Sequence, residues 1–254
     1  KPTFTDLLAK SAMALAETEK DDRLGALRVS MDEARAARDQ GCQVIALIGF
    51  PLDEGCRRNG GRCGAEAGPT MFRQLVWKTG CVPNFVTGCD FHNVRIVDCG
   101  DIDIDEYDEV DYDGARDALR QKVSQALSNG FIPFVIGGSN DQSYANACAL
   151  LEHFPDTGLG VINLDAHLDV RPQKAGLEHS GSPFRQLLED QRFCRMKENL
   201  FTEFACQSHQ CAASHVRWIL EGQPGRACQT RVVWLDHMLS AEPRSIADCF
   251  AAEL

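Results

Sequence analysis

No two cysteines in this chain stand in a C-x-x-C spacing, although there are twelve of them, and Cys206 and Cys211 are the closest pair. That absence excludes a zinc ribbon and a thioredoxin-like redox motif. The thiols are scattered over strand-like and helix-like segments, unlike those of a small secreted scaffold. They read as reduced, small buried hydrophobes, with oxidation of an exposed pair left open, and the expected compartment is the cytoplasm. No apolar run approaches the ~20 residues needed to span a bilayer. No basic stripe offsets the net charge of -11, which argues against nucleic-acid and anionic-membrane partners. No internal repeat, low-complexity segment or Pro/Ser-rich linker divides the 254 residues. No targeting segment is visible, and Lys1 leaves the native start open.

What is present is ordinary for a folded protein: 44% hydrophobic and 25% charged residues, enough for one large α/β domain with a real core. Strand-like runs at Val44–Phe50, Val94–Cys99, Phe131–Ile136, Gly160–Leu164, Phe201–Cys206 and Val232–Leu235 alternate with helical patterns. The helical patterns cover Ser30–Gln40, Pro69–Lys78, Tyr112–Ser128, Gln142–Phe154, Pro183–Asp190 and Ala213–Glu221. Alternation of this kind predicts a mostly parallel sheet flanked by helices. Asp111 or Asp113 opens the third helix, Gly130 closes it, and Pro69 suits a first turn. Sites in such sheets form at the carboxyl ends of strands.

One such end carries Asp165, His167 and Asp169, two apart, directly after an apolar run. In extended chain, residues at i, i+2 and i+4 line one face. Two carboxylates and an imidazole would then converge, with Ala166 and Leu168 turned away. Joint burial of two Asp is costly without a cation, and this donor set suits Mn, Fe or Zn. One strand does not close a metal site.

Other segments are weaker by themselves. Gly137-Gly138-Ser139-Asn140-Asp141-Gln142-Ser143 lacks the phosphate-loop pattern and its Lys, so a plain strand-to-helix turn is preferred. Leu52 to Ala65 is a long polar Gly/Arg loop whose Arg57, Arg58 and Arg62 could grip a carboxylate or simply be solvated. Asp101, Asp103, Asp105 and Asp108 fail the EF-hand pattern, with Glu106 where Gly is needed and Tyr112 where the bidentate Glu belongs. His179-Ser180-Gly181-Ser182-Pro183-Phe184-Arg185 offers His179 as a proton carrier near neutral pH or as a capping-loop residue, and Arg185 as a binder of acidic substrate. His153, His209, His215 and His237 have no partner pattern and read as structural or exposed.

Taken together and in order, four segments make the chain resemble the ureohydrolases, the arginase and agmatinase superfamily, and within it the formimidoylglutamases. They are Gly49-Phe50-Pro51-Leu52-Asp53-Glu54-Gly55 with Arg58-Asn59-Gly60-Gly61-Arg62, the Gly137-Gly138-Ser139-Asn140-Asp141 turn, Asp165-Ala166-His167-Leu168-Asp169, and His179 to Arg185. The Asp-Ala-His-x-Asp motif is highly specific to the superfamily. The resemblance implies a three-layer arginase-like α/β fold and trimeric or hexameric homo-oligomers. It also implies a binuclear Mn(2+) cluster, two ions per subunit. By matching positions, Asp165 would bridge both ions, Asp169 would bind one and His167 the other. Asn140 stands where the superfamily usually has a His ligand.

The family's later Ser-x-Asp-x-Asp segment has no counterpart here, because Val232-Val233-Trp234-Leu235-Asp236-His237 offers one Asp. Residues 1–254 therefore read as a single ureohydrolase-like domain lacking its C-terminal portion. The implied reaction is hydrolysis of a linear amidine, N-formimino-L-glutamate to L-glutamate and formamide, in histidine degradation. Asp169 would orient the attacking hydroxide, His179 would relay the proton, and Arg185, Arg62 and Arg58 would meet the substrate carboxylates. The alternatives are an arginase or agmatinase releasing urea, and a metal-free pseudoenzyme acting as an oligomeric scaffold.

Overall fold

The computed structural model describes residues 23–80, 88, 91–103, 111–240 and 246–251; Asp105, Glu106 and Asp108 of the acidic stretch lie outside them. In chain order the elements begin with β1 (Arg28–Val29), α1 (Met31–Asp39), β2 (Gln43–Phe50), α2 (Glu54–Asn59) and α3 (Gly68–Val76). Next come β3 (Val94–Asp101), α4 (Tyr112–Ser128), β4 (Ile132–Gly137), α5 (Gln142–His153) and β5 (Gly160–Leu164). The rest are α6 (Pro183–Glu189), α7 (Gln191–Cys194), β6 (Leu200–Cys206), α8 (Ala213–Leu220), β7 (Gln229–Trp234), α9 (Leu235–Ser240) and α10 (Ile246–Ala251). The chain divides into two compact units, one of residues 1–52 and 64–138, the other of residues 53–63 and 139–254.

The first unit holds a sheet ordered β1-β3-β2-β4. Every pairing in it is parallel, with Ile45 opposite Ile96 on one side and Ile132 on the other. Val44, Ala46, Leu47, Ile48 and Phe50 are all buried, as a parallel strand covered on both faces requires. Helix ends follow local chemistry. Ser30 and Glu33 form a reciprocal capping box on α1, satisfying two backbone donors at once. Asp111, rather than Asp113, caps α4 by accepting from the Gly114 N–H at 2.9 Å. Gly130, just past that helix, has φ of 70°, which glycine adopts without penalty. Asp101 belongs to an ion pair, 2.5 Å from the Arg73 guanidinium.

The second unit holds a parallel sheet ordered β5-β6-β7. Its core is apolar and continuous, built on Leu168, Val170, Leu187, Phe193, Phe201 and Ile219. Two sequence expectations need correcting. The long polar loop contains helix α2, because Glu54 takes both Arg57 and Arg58 at helical spacing and Gly60 at φ 79° ends it, as left-handed C-caps do. Leu235 starts α9 instead of ending β7, with Asp236 favourably placed in that first helical turn. Among the described residues Cys42, Cys56, Cys63, Cys99, Cys148, Cys194, Cys206, Cys211 and Cys228 are free thiols.

Candidate metal and substrate site

Strand β5 stops at Leu164, so Asp165, His167 and Asp169 do not share a strand face as the alternation suggested. A turn brings them together. Asp165 Oδ1 accepts from the His167 backbone N–H at 3.0 Å and lies 3.1 Å from the His167 Nδ1. A short acid that captures the N–H two residues on bends the chain out of the strand. Asp169 then takes φ of 45°, a left-handed conformation that Asp tolerates better than most residues.

The end of β6 holds this turn in place. The Asp165 N–H donates to the Phe204 carbonyl at 3.2 Å, and the Gln207 N–H to the Ala166 carbonyl at 3.1 Å. Between them the pairing of β6 with β7 shifts register, and Ala205 has φ of 67°, marking a bulge of the kind that re-aims a strand end. The thiols of Cys206 and Cys211 donate to the His167 and Ala166 carbonyls.

Asn140 donates its side-chain N–H to Asp169 Oδ2 at 2.5 Å, while its carbonyl accepts from the Ser143 hydroxyl at 2.7 Å. Burial pushes the Asp169 carboxyl up to about 6, and the Asp165 charge adds to this against the opposing pull of Asn140, His167 and Arg171. A further carboxylate lies nearby. Glu203, in the middle of β6, is 0% exposed. Its Oε2 accepts from Asn163 at 2.9 Å, and its Oε1 is buried without a partner. Burial, then the charges of Asp169 and Asp165, hold its carboxyl well above the usual range.

A cavity of about 70 Å³ opens over this turn, lined by His167, Asp169, Arg171, Gln210, Cys211 and His215 among others. The same lining carries positive charge. Arg171 reaches Asn59 at 3.4 Å, and burial followed by the charges of Arg171 and Arg185 keeps the His215 imidazole below its ordinary value. The Arg185 guanidinium stacks 4.3 Å over the Trp218 ring and bonds Glu189 at 3.0 Å. Arg226 also packs against that ring, at 4.6 Å.

The other residues singled out in the sequence are placed elsewhere in the second unit. His179 is 2% exposed; its Nε2–H donates to the Pro172 carbonyl at 3.1 Å and its Nδ1 accepts from the Gly181 N–H at 3.1 Å. With both ring nitrogens engaged it ties its loop together, an arrangement unlike that of a proton relay, and burial lowers its pKa. Arg58 is bonded to Glu54 at 2.8 Å, and Arg62 is exposed; neither lines the cavity. Three contributors escaped the sequence reading. Arg171 continues the spacing of two from Asp169, Glu203 is the lone charge in an apolar strand, and His215 carried no local signal.

Among the described residues, no three His, Cys, Asp or Glu side chains are arranged to hold a metal ion. Asp165 is turned onto His167, and Asn140 presents nitrogen to Asp169. The chemistry of the donors nevertheless fits a divalent cation: carboxylates, an imidazole and an amide carbonyl, with an orphaned buried carboxylate oxygen on Glu203 behind them.

The profile of the arginase family matches residues 43–215. Formimidoylglutamase of Clostridium tetani is 33% identical over 170 residues, which is 65% of this chain and 46% of that protein. Formimidoylglutamase of Citrobacter koseri is 37% identical over 164 residues, 65% of this chain and 47% of that protein. The chain thus spans about half the length of the curated relatives it matches. Among solved structures, Trypanosoma cruzi formiminoglutamase with Mn2+2 superposes with a TM-score of 0.74 at 39% identity, covering 92% of this chain and 72% of that one. The parallel-sheet α/β architecture is therefore that of the arginase fold. A putative agmatinase from Clostridium difficile, 16% identical with a TM-score of 0.59 over 77% of this chain and 64% of that one, shares the fold.

Proposed function

Since the chain belongs to the arginase family, we propose that the protein is a manganese-dependent hydrolase of N-formimino-L-glutamate, giving L-glutamate and formamide as a step of histidine degradation. The polarity of the cavity carries this reading. Asp169 is the carboxylate of its lining and Arg171 the guanidinium, with Arg185 close enough to act on His215. A formimino group is cationic and suits that carboxylate; the two carboxylates of glutamate suit the guanidinium groups, which bind carboxylates bidentately.

Asp165, His167, Asp169 and Asn140 would hold the metal, two Mn(2+) per subunit. When bound, the ions lower the pKa of water and stabilise developing negative charge. Asp169 orients the attacking water, with Oδ2 fixed by Asn140. As water adds to the formimino carbon and the bond from that carbon to the glutamate nitrogen breaks, the departing nitrogen takes a proton. His215 lines the cavity and, unlike His167, is not among the candidate metal ligands, so it is the ring that would supply that proton. His179 is a positioning residue that fixes the loop between Pro172 and Gly181. Arg185 and Arg171 meet the substrate carboxylates, with Arg58 and Arg62 further out. A trimeric or hexameric assembly belongs to the same proposal, supported by the family resemblance.

The test is to supply the purified protein with Mn2+ and N-formimino-L-glutamate and to assay formamide, beside arginine and agmatine with a urea assay. Formamide release is expected. Urea release alone would move the protein to the guanidino hydrolases. Failure to retain manganese, with no activity on adding it, would favour the metal-free scaffold, the reading that Asn140 and the unclosed donor set support.

A further inference from the structure

We propose that Glu203 is a positioning residue for the cation, a third carboxyl group behind Asp165 and Asp169 whose buried, unpartnered oxygen is compensated only when the divalent ion is bound. This rests on the manganese reading above.

Glu203 sits at the centre of β6, opposite Asn163 on β5 and Val232 on β7. Its neighbours Phe201, Thr202 and Phe204 are buried with it, so a Gln or Met of similar length would fill the space without charge. A buried carboxylate is costly unless it is fully bonded and paired. Here only Oε2 has a partner, the amide of Asn163, while Oε1 has none. The charged groups that act on it are Asp169 and Asp165, both of its own sign. Among the described residues no Lys, Arg or His forms an ion pair with it. The Asp165 N–H bonds the carbonyl of Phe204, the residue after Glu203, so the orphaned oxygen belongs to the strand end that carries the candidate ligands, where a bound cation would favour its ionised form. Groups just behind metal ligands set affinity in this way.

The test compares the wild-type protein with Glu203→Gln, reading the Mn2+ Kd from the spin-resonance signal of free Mn2+ and the thermal midpoint after chelation. Glu203→Gln is expected to weaken Mn2+ binding by about tenfold or more, while the chelated midpoint stays level or rises. Glu203→Asp is expected to recover part of the affinity. A variant Kd within about twofold of wild type, against the roughly tenfold expected, overturns the inference while leaving the hydrolase reading intact. So does a chelated midpoint that falls in step with affinity, because a purely structural role does that. Glu203→Met is the second neutral replacement; failure of both neutral variants to fold makes the carboxylate structural and overturns the inference too. A wild-type protein that binds no Mn2+ overturns both readings.

Discussion

Asn140 and Asp169 are joined by a 2.5 Å bond in which the amide gives its N–H to the acid. The amide carbonyl accepts from Ser143 with one lone pair, so the residue is fixed in the sense that favours an ionised Asp169. Burial works the other way and wins, leaving that carboxyl at about 6.

A pH dependence follows for the metal-free protein. Asp169 has its folded value raised above the ordinary 3.8, so between those values the folded state holds a proton that the unfolded state has lost. Its stabilising share is present below the lower value and disappears as pH rises through about 6, because stability falls with pH wherever the folded state binds more protons. Asp169→Asn in chelated protein should therefore gain roughly 3 kcal/mol over wild type near pH 7.5 and little near pH 4. Urea denaturation at both pH values checks this; equal differences at the two would count against it.

Gly55 is a packing constraint. A β-carbon there would collide with the Asp141 carboxylate and press on the Ser139 hydroxyl, which are bonded to each other. Gly55→Ala should cost roughly 1–3 kcal/mol, the usual penalty for overpacking a tight site. The midpoint of chemical denaturation measures it.

His179→Ala should act through structure. It leaves the buried Gly181 N–H without its acceptor, which costs about 1–3 kcal/mol, while the carbonyl of the exposed Pro172 can turn to water. The thermal midpoint should fall, while the shape of the pH–rate profile of the remaining activity stays unchanged. A lost limb in that profile would restore the ring to proton transfer.

Arg185→Lys separates recognition from chemistry. A lysine keeps the charge but loses the planar stack on Trp218 and the forked geometry suited to carboxylates. KM for N-formimino-L-glutamate should rise by roughly tenfold, equivalent to about 1.4 kcal/mol, with kcat little changed. Trp218 fluorescence should shift in the same variant, confirming that the stack was broken.

Much of the fold was legible because burial in a parallel sheet leaves a simple mark. Gly160–Leu164 was read with the bounds it has, and the apolar run of β2 was recognised within a residue. The motif Asp165, His167, Asp169 was legible as chemistry, though its geometry was not. Strand alternation suggested a shared face, whereas the side chain of Asp165 takes a backbone N–H and turns the chain. Helix α2 was missed because its support is a pair of ion bridges from Glu54 rather than an apolar stripe. The role suggested for His179 gave way to two hydrogen bonds that become visible only when its loop closes. Glu203 and His215 are far from the motif along the chain, and only strand pairing and packing bring them to it.

The parallel pairing has a kinetic consequence. Both neighbours of β2 in its sheet, β3 and β4, lie later in the chain, and parallel strands are never joined by a short hairpin. During synthesis the segment from Gln43 to Phe50, buried along nearly its whole length in the finished protein, emerges before either strand that will pair with it. Non-local pairing of this kind slows folding, and unpaired apolar strands aggregate in the interval. The ribosome must therefore deliver the chain through Gly137 before β2 can be covered on both edges, and slower, cooler expression should raise the yield of folded protein.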